Sequence, residues 1–117
     1  MEGKENVLEN KSYQFALNVV KLYKELVINK EYVLSQQFLK SGTSIGANVA
    51  EANGAISTAD FSAKVSIAYK ESLECKYWLK LLKDSGYIKK EDFQNLFEQS
   101  DELSRILFSI LKKTRIK

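Results

Sequence analysis

No proline occurs anywhere in the 117 residues. Proline is the residue that breaks a helix from inside, by removing a donor and clashing with the preceding turn. Without it, apolar residues recur at three- and four-residue steps over four long stretches, the period of one helical face. The spacing predicts a first helix from about Lys11 to Val27, with Ala16, Val19, Val20, Tyr23, Leu26 and Val27 on one face and a break at Asn29-Lys30-Glu31. A second runs from about Val33 to Asn53. Its stripe is Leu34, Phe38, Ile45, Val49, Ala52 and Ile56, with Ser41 or Gly42 at the missing step. Gly42 and Gly46 lie four apart on a neighbouring face. Each glycine in a helix interior costs about 1 kcal/mol against alanine, so the pair points to a place where another helix comes very close.

Asn53-Gly54 reads as a helix stop, with the glycine free to turn left-handed. Ser57 followed by Asp60 resembles a capping box and opens a third helix, Thr58 to Asp84. Its main stripe is Phe61, Val65, Ala68, Ser72, Cys75, Leu79 and Leu82. Two more stripes, Ile67-Trp78-Leu81 and Tyr69-Leu73-Tyr77, make it apolar on most of its circumference. One bundle core cannot cover all of that, so part of it is expected to meet another subunit. Gly86 caps this helix. A fourth follows from about Lys90 to Lys113, with Phe93, Leu96, Phe97, Leu103, Leu107, Ile110 and Leu111 on its stripe and Ser100 at a seam position. Acidic Glu91 and Asp92 at its start and basic Lys112, Lys113 and Arg115 at its end suit the helix dipole. Short connections between four long helices give an all-α, up-and-down antiparallel four-helix bundle. Residues 11–117 form the single domain, and the polar stretch 1–10 is expected to be a flexible N-terminal segment.

There is no histidine. That removes the commonest general base and metal ligand and with it the Ser-His and Cys-His catalytic arrangements. A di-metal carboxylate centre of the ferritin kind needs Glu-x-x-His pairs, so that motif fails too. No catalytic residue, cofactor or metal site is expected, and the chain is read as not an enzyme. Cys75 is the single cysteine and lies on the third helix's apolar stripe, so a buried structural thiol is expected. A lone thiol and a polar, acidic start without a signal-peptide pattern point to a reducing, cytoplasmic setting. No apolar run approaches the ~20 residues that span a bilayer, so no membrane partner is expected.

Three groups of residues stand out. Ser44, Asn48 and Glu51 share a face of the second helix, and Glu71 and Glu74 share one of the third. If the faces meet inside the bundle, they form a buried polar network that fixes register. Tyr69, Leu73, Tyr77 and Trp78 are the candidate subunit interface, since core or interface is the commoner use of such aromatics than base stacking. Lys76, Lys80 and Lys83 fall on one ridge at i, i+4 and i+7, and Lys112, Lys113 and Arg115 add charge at the C-terminus. Such ridges can contact phosphates. The net charge of +3 is too mild to argue for it alone.

The string Ser44-Ile45-Gly46-Ala47-Asn48-Val49-Ala50-Glu51 resembles the second-helix signature of the bacterial four-helix-bundle proteins named after the intervening sequences of 23S ribosomal RNA. Asp60-Phe61, Lys70 through Leu79 and Glu102 through Leu107 also fit, so the resemblance covers the chain from Lys11 onward. It implies an up-and-down bundle assembled as a five-fold ring, with no settled function. A related branch serves gene-diversifying retroelements as a basic ring partnering a reverse transcriptase and its RNA. This chain is less basic than that branch. It also carries Asn53 after Glu51-Ala52, where many members place glycine directly after Ala-Glu. The expected function is a non-enzymatic homo-oligomeric assembly module, a pentamer, offering its surface to a macromolecular partner in a role the sequence does not name, with RNA or an RNA-associated protein as the candidate partners. The alternative is weak, sequence-blind RNA or DNA binding by a ring of the basic ridges.

Overall fold

The computed structural model describes residues 4–115 and, for side chains, 7–114. Four helices follow in order: α1 (Lys4–Ile28), α2 (Val33–Asn53), α3 (Thr58–Asp84) and α4 (Lys90–Arg115). They form an antiparallel bundle 46 Å long and about 20 Å across. α1 packs on α2, α2 on α3 and α3 on α4, while α1 and α4 meet more sparingly. Among the described residues, the diagonal pairs α1/α3 and α2/α4 have no Cα atoms within 8 Å of each other. The flank formed by α1 and α2 is therefore opposite the flank formed by α3 and α4.

α2 and α3 occupy the bounds the spacing predicts. α1 does not. It starts at Lys4 rather than near Lys11, within the stretch expected to be flexible; residues 1–3 lie outside the described ones. The reason is Leu8, only 3% exposed in the core. Leu8, Ser12, Phe15, Val19, Leu22 and Leu26 are all buried. Their alternating four- and three-residue steps form a bundle seam. The expected face was rotated from this one: Ala16, Val20, Tyr23 and Val27 are half-buried beside it. Apolar residues surround so much of α1 that spacing alone left two nearly equivalent faces.

Both long turns use the same hydrogen bonds. After α1, Lys30 N–H donates to Val27 O and Glu31 N–H to Leu26 O. After α3, Gly86 N–H donates to Lys83 O and Tyr87 N–H to Leu82 O. This is the Schellman end, which needs one residue in the left-handed region. Gly86 supplies it at φ 83° and Lys30 at φ 67°. Lys30 is the costly choice, because a Cβ crowds the following carbonyl there. The Gly54 expectation fails: its φ is −101°, and the chain turns instead through Gly54 N–H to Glu51 O and Ala55 N–H to Ala52 O. Ile56, placed on the α2 stripe by spacing, lies past the helix end and is 93% exposed.

Helix starts are capped differently. Ser57 Oγ accepts from Asp60 N–H, and Asp60 Oδ2 accepts from Ile56 N–H, one residue before the partner of a standard capping box. At α2, Tyr32 offers no side-chain cap. Glu31 does the work from one residue further out, its carboxylate accepting from Leu34 N–H at 3.1 Å and Ser35 N–H at 2.6 Å. The side chain of Ser35 returns a bond to Glu31 O. Glu31 is 8% exposed; its charge is tolerated because it answers otherwise orphaned helix donors.

The core is continuous from Leu8 to Leu111. Gly42 and Gly46 mark the close approach that their spacing predicts. A Cβ on Gly42 would sit 2.7 Å from Val19 Cγ2, and one on Gly46 3.3 Å from the Ser12 carbonyl oxygen.

Candidate functional site

The five polar candidates do not form one buried cluster within the chain. Lys64, Glu71 and Trp78 recur at seven-residue steps on α3, and the ion pair of Lys64 with Glu51 of α2, 2.9 Å, shows that they face α2. Glu51 is more than half exposed, and its carboxylate raises the pKa of Lys64, mainly through their hydrogen bond. Asn48 is half-buried and donates within its own helix to Ser44 O at 2.8 Å. Glu74 is exposed and accepts from Trp78 Nε1–H at 3.0 Å. Glu71 is half-buried. Partial burial pushes its carboxyl up, the neighbouring Glu74 adds to this, and Lys40 of α2 opposes it. The group thus lines the outer α2/α3 flank. Helical spacing assigns a face, and carboxylates without buried counter-charges stay where water can reach them.

Hydroxyls take the interior polar positions instead. Ser72 and Ser104 bond to each other at 2.7 Å between α3 and α4, Ser72 also reaches Tyr69 O, and Ser100 Oγ donates to Ser72 O. Ser104 also lies within bonding distance of Ser100 O, and Ser41 donates to Phe38 O. Ser41, Ser72 and Ser100 were visible as seam positions. Ser12, Ser35 and Ser104 were not, because a serine on a stripe looks the same as a serine on a surface. Cys75 is fully buried among them. Desolvation pushes its thiol up to about 12; bonds with Ser41 and Ser100 act against that, and the charges of Glu71 and Glu74 add to it. Such a thiol is no nucleophile.

The aromatic candidates divide between two flanks. Tyr69 turns toward α4, with its ring 5.7 Å from that of Phe108. Leu73 and Tyr77 continue outward along the same ridge and are exposed, as is Phe108. Trp78 is half-buried on the α2 side and meets Tyr77 edge to face at 5.0 Å.

The lysine ridge is broken up. Lys76 Nζ pairs with Asp101 of α4 at 3.0 Å and lies 5.8 Å from the Phe97 ring centre. Lys83 pairs with Asp84 and sits 4.2 Å over Phe93. Only Lys80 of the three is exposed. Seven-residue spacing turns Lys76 and Lys83 alike toward α4, which the i, i+4, i+7 count had merged with Lys80. Lys112 lies 5.8 Å from the Phe108 ring centre, Lys112 and Lys113 are exposed, and the Arg115 side chain is outside the described ones.

Between α1 and α4 is a shallow groove of about 150 Å³, lined by Asn18, Lys21, Glu25, Asp92 and Asn95 among others. Asn18 donates to Gln99 and Gln99 to Asn95 along it. Among the described residues, no group of three or more His, Cys, Asp or Glu could hold a metal ion, and no helix is long and apolar enough to cross a membrane.

The helix order, the antiparallel packing and the sealed core define the class: an all-α four-helix bundle. The chain belongs to the 23S rRNA-intervening sequence protein family, whose model matches residues 4–109. It is similar to the crystal structure of a protein with unknown function from the S23 ribosomal protein family of Bacteroides thetaiotaomicron. The two are 49% identical and superpose with a TM-score of 0.92 over 94% of this chain and 99% of that one. No functionally curated protein matches the sequence.

Proposed function

We propose that the chain is a non-enzymatic, homo-oligomeric assembly module of the cytoplasm, offering the surface of the assembly to a macromolecular partner. One observation carries this reading. Large apolar side chains stand in solvent on more than one flank, Tyr13 at 61% and Tyr77 at 59% among them, although the core beneath is closed. Apolar surface of this kind marks an interaction site. The family resemblance supports five subunits as the count and RNA or an RNA-associated protein as the partner. Light scattering at micromolar concentration is expected to give a mass near five times 13.4 kDa; a clean monomer mass overturns the reading.

The second reading is weak, sequence-blind RNA or DNA binding by Lys76, Lys80, Lys83, Lys112, Lys113 and Arg115 repeated around a ring. Exposed Lys80, Lys112 and Lys113 favour it; the carboxylates already held by Lys76 and Lys83 weigh against it. Retention on RNA that falls steeply between low and moderate salt, and disappears in a Lys80/Lys112/Lys113 triple glutamate variant that still assembles, supports this reading. No retention at low salt leaves a protein partner as the better assignment.

A further inference from the structure

The groove of about 150 Å³ along the sparse α1–α4 seam has an apolar floor, the buried Leu22 and Leu96. Its walls are polar, and the register of the seam sets their levels. Asn18 of α1 meets Gln99 of α4. The helices are antiparallel, so one turn further along α1 is one turn back along α4. Lys21 therefore stands near the level of Asn95, and Glu25 near the level of Asp92; all four line the groove. The amides are committed on one side only. Asn18 Nδ2 donates to Gln99 Oε1, and Asn95 Oδ1 accepts from Gln99 Nε2. This fixes both amides and leaves Asn18 Oδ1 as an acceptor and Asn95 Nδ2 as a donor. Among the described residues, Lys21, Glu25 and Asp92 enter none of the ion pairs, although Lys21 and Glu25 stand at i, i+4, where neighbours on a helix can meet. The walls thus offer one ammonium, two carboxylates, an amide donor and an amide acceptor that the fold does not use.

We propose that this groove binds a small zwitterion, a free α-amino acid. The ammonium of such a molecule seats at the level of Glu25 and Asp92. Its carboxylate, one turn away, takes Lys21 Nζ and Asn95 Nδ2–H, and a side chain that carries a donor reaches Asn18 Oδ1. A dicarboxylate is repelled by Glu25 and Asp92, and a diamine by Lys21. A molecule with both charges a few ångströms apart has a partner at each level. A cavity of this volume holds a molecule about the size of benzene, which is the size of a small amino acid. Leu22 and Leu96 give its aliphatic part an apolar seat. The groove is open to water, where charge pairs are weak, so binding falls in the millimolar range. The bound molecule bridges two helices that the chain itself joins sparingly. The site lies within one chain and does not depend on the assembly reading above.

The test is ligand-observed saturation-transfer NMR on the full wild-type chain, in the assembly it forms. The probes are L-glutamine, its N-acetyl C-amide derivative, putrescine and succinate. L-Glutamine is expected to give a saturable signal at millimolar concentration. The capped derivative keeps the side chain but loses both charges, and is expected to bind at least roughly tenfold more weakly; putrescine and succinate are expected to do the same. Lys21→Ala and the double variant Glu25→Gln/Asp92→Asn are each expected to weaken L-glutamine by a similar factor while helical circular dichroism stays unchanged. Should the double variant unfold, Glu25→Gln alone, at an exposed position, carries the same test. Four results overturn the proposal: no saturable signal from L-glutamine up to tens of millimolar; equal binding of the capped derivative; putrescine binding as tightly as L-glutamine, which makes the groove a plain cation site; or L-glutamine binding untouched by the variants, which places it elsewhere on the chain.

Discussion

Helix α1 has two neighbours and treats them differently. Along α2 the backbones approach so closely that Gly42 has no room for a methyl group beside Val19, and Gly46 faces the Ser12 carbonyl. Along α4 the contact is sparse. There the helices are joined by Asn18–Gln99, by the ion pair of Lys11 with Glu102 at 3.2 Å, and by the rim of an open groove. The first seam is held by shape, with dispersion and burial acting over a close contact. The second is held by polar groups that water can replace. A side chain added at the first seam has nowhere to go, whereas one removed from the second leaves little behind.

That contrast can be broken or sharpened by substitution. Gly42→Val has the largest expected effect. Its branches enter Val19, itself stiff about χ1, and overpacking of a sealed contact costs about 3 kcal/mol. Urea unfolding should show the loss, and adding Val19→Ala should recover part of it, as coupled neighbours do. Glu31→Ala comes next. It strips the buried acceptor from two donors at the start of α2, and the expected loss is about 1–2 kcal/mol, read as a lower midpoint. Gly46→Ala is closer to balance. Alanine gains about 1 kcal/mol of helix preference, and the 3.3 Å approach to Ser12 O takes back a similar amount, so the midpoint should barely move. Asn18→Ala at the open seam should change stability by less than about 0.5 kcal/mol, as exposed surface changes do. A loss there as large as at Gly42 would mean the α1–α4 seam is as closely held as the other.

The close seam was legible because glycine spacing carries information that does not depend on which side of the helix is core. Gly42 and Gly46 could be read without knowing the depth of either. The bounds of α2 and α3 were legible too, since Ser57 with Asp60 and Gly86 are terminal signals with local causes. The start of α1 was not, because a single Leu8 in a polar stretch is a weak signal until Phe15 and Leu22 are known to share its seam. Lys30 hid a left-handed turn behind a side chain that usually avoids one. Glu31 capped α2 from outside the usual N-cap position. For the candidate site, spacing put Asn48, Glu51, Glu71 and Glu74 on particular faces but could not give their depth. Lys76 likewise looked free until Asp101, on another helix and 25 residues away in sequence, came beside it. Partners brought by the fold are the part that a one-dimensional pattern omits.

The lone buried thiol has a use that concerns time rather than architecture. Cys75 is wholly enclosed and holds its proton up to about pH 12, so an alkylating reagent meets neither an open path nor a thiolate in the native bundle. Once the bundle opens, the same sulfur returns to ordinary cysteine acidity and reacts readily. With no other cysteine in the chain, every modification event records one opening. The rate of alkylation in native buffer therefore counts how often the α2–α3–α4 interior is exposed, and its dependence on reagent concentration separates the opening rate from the open population.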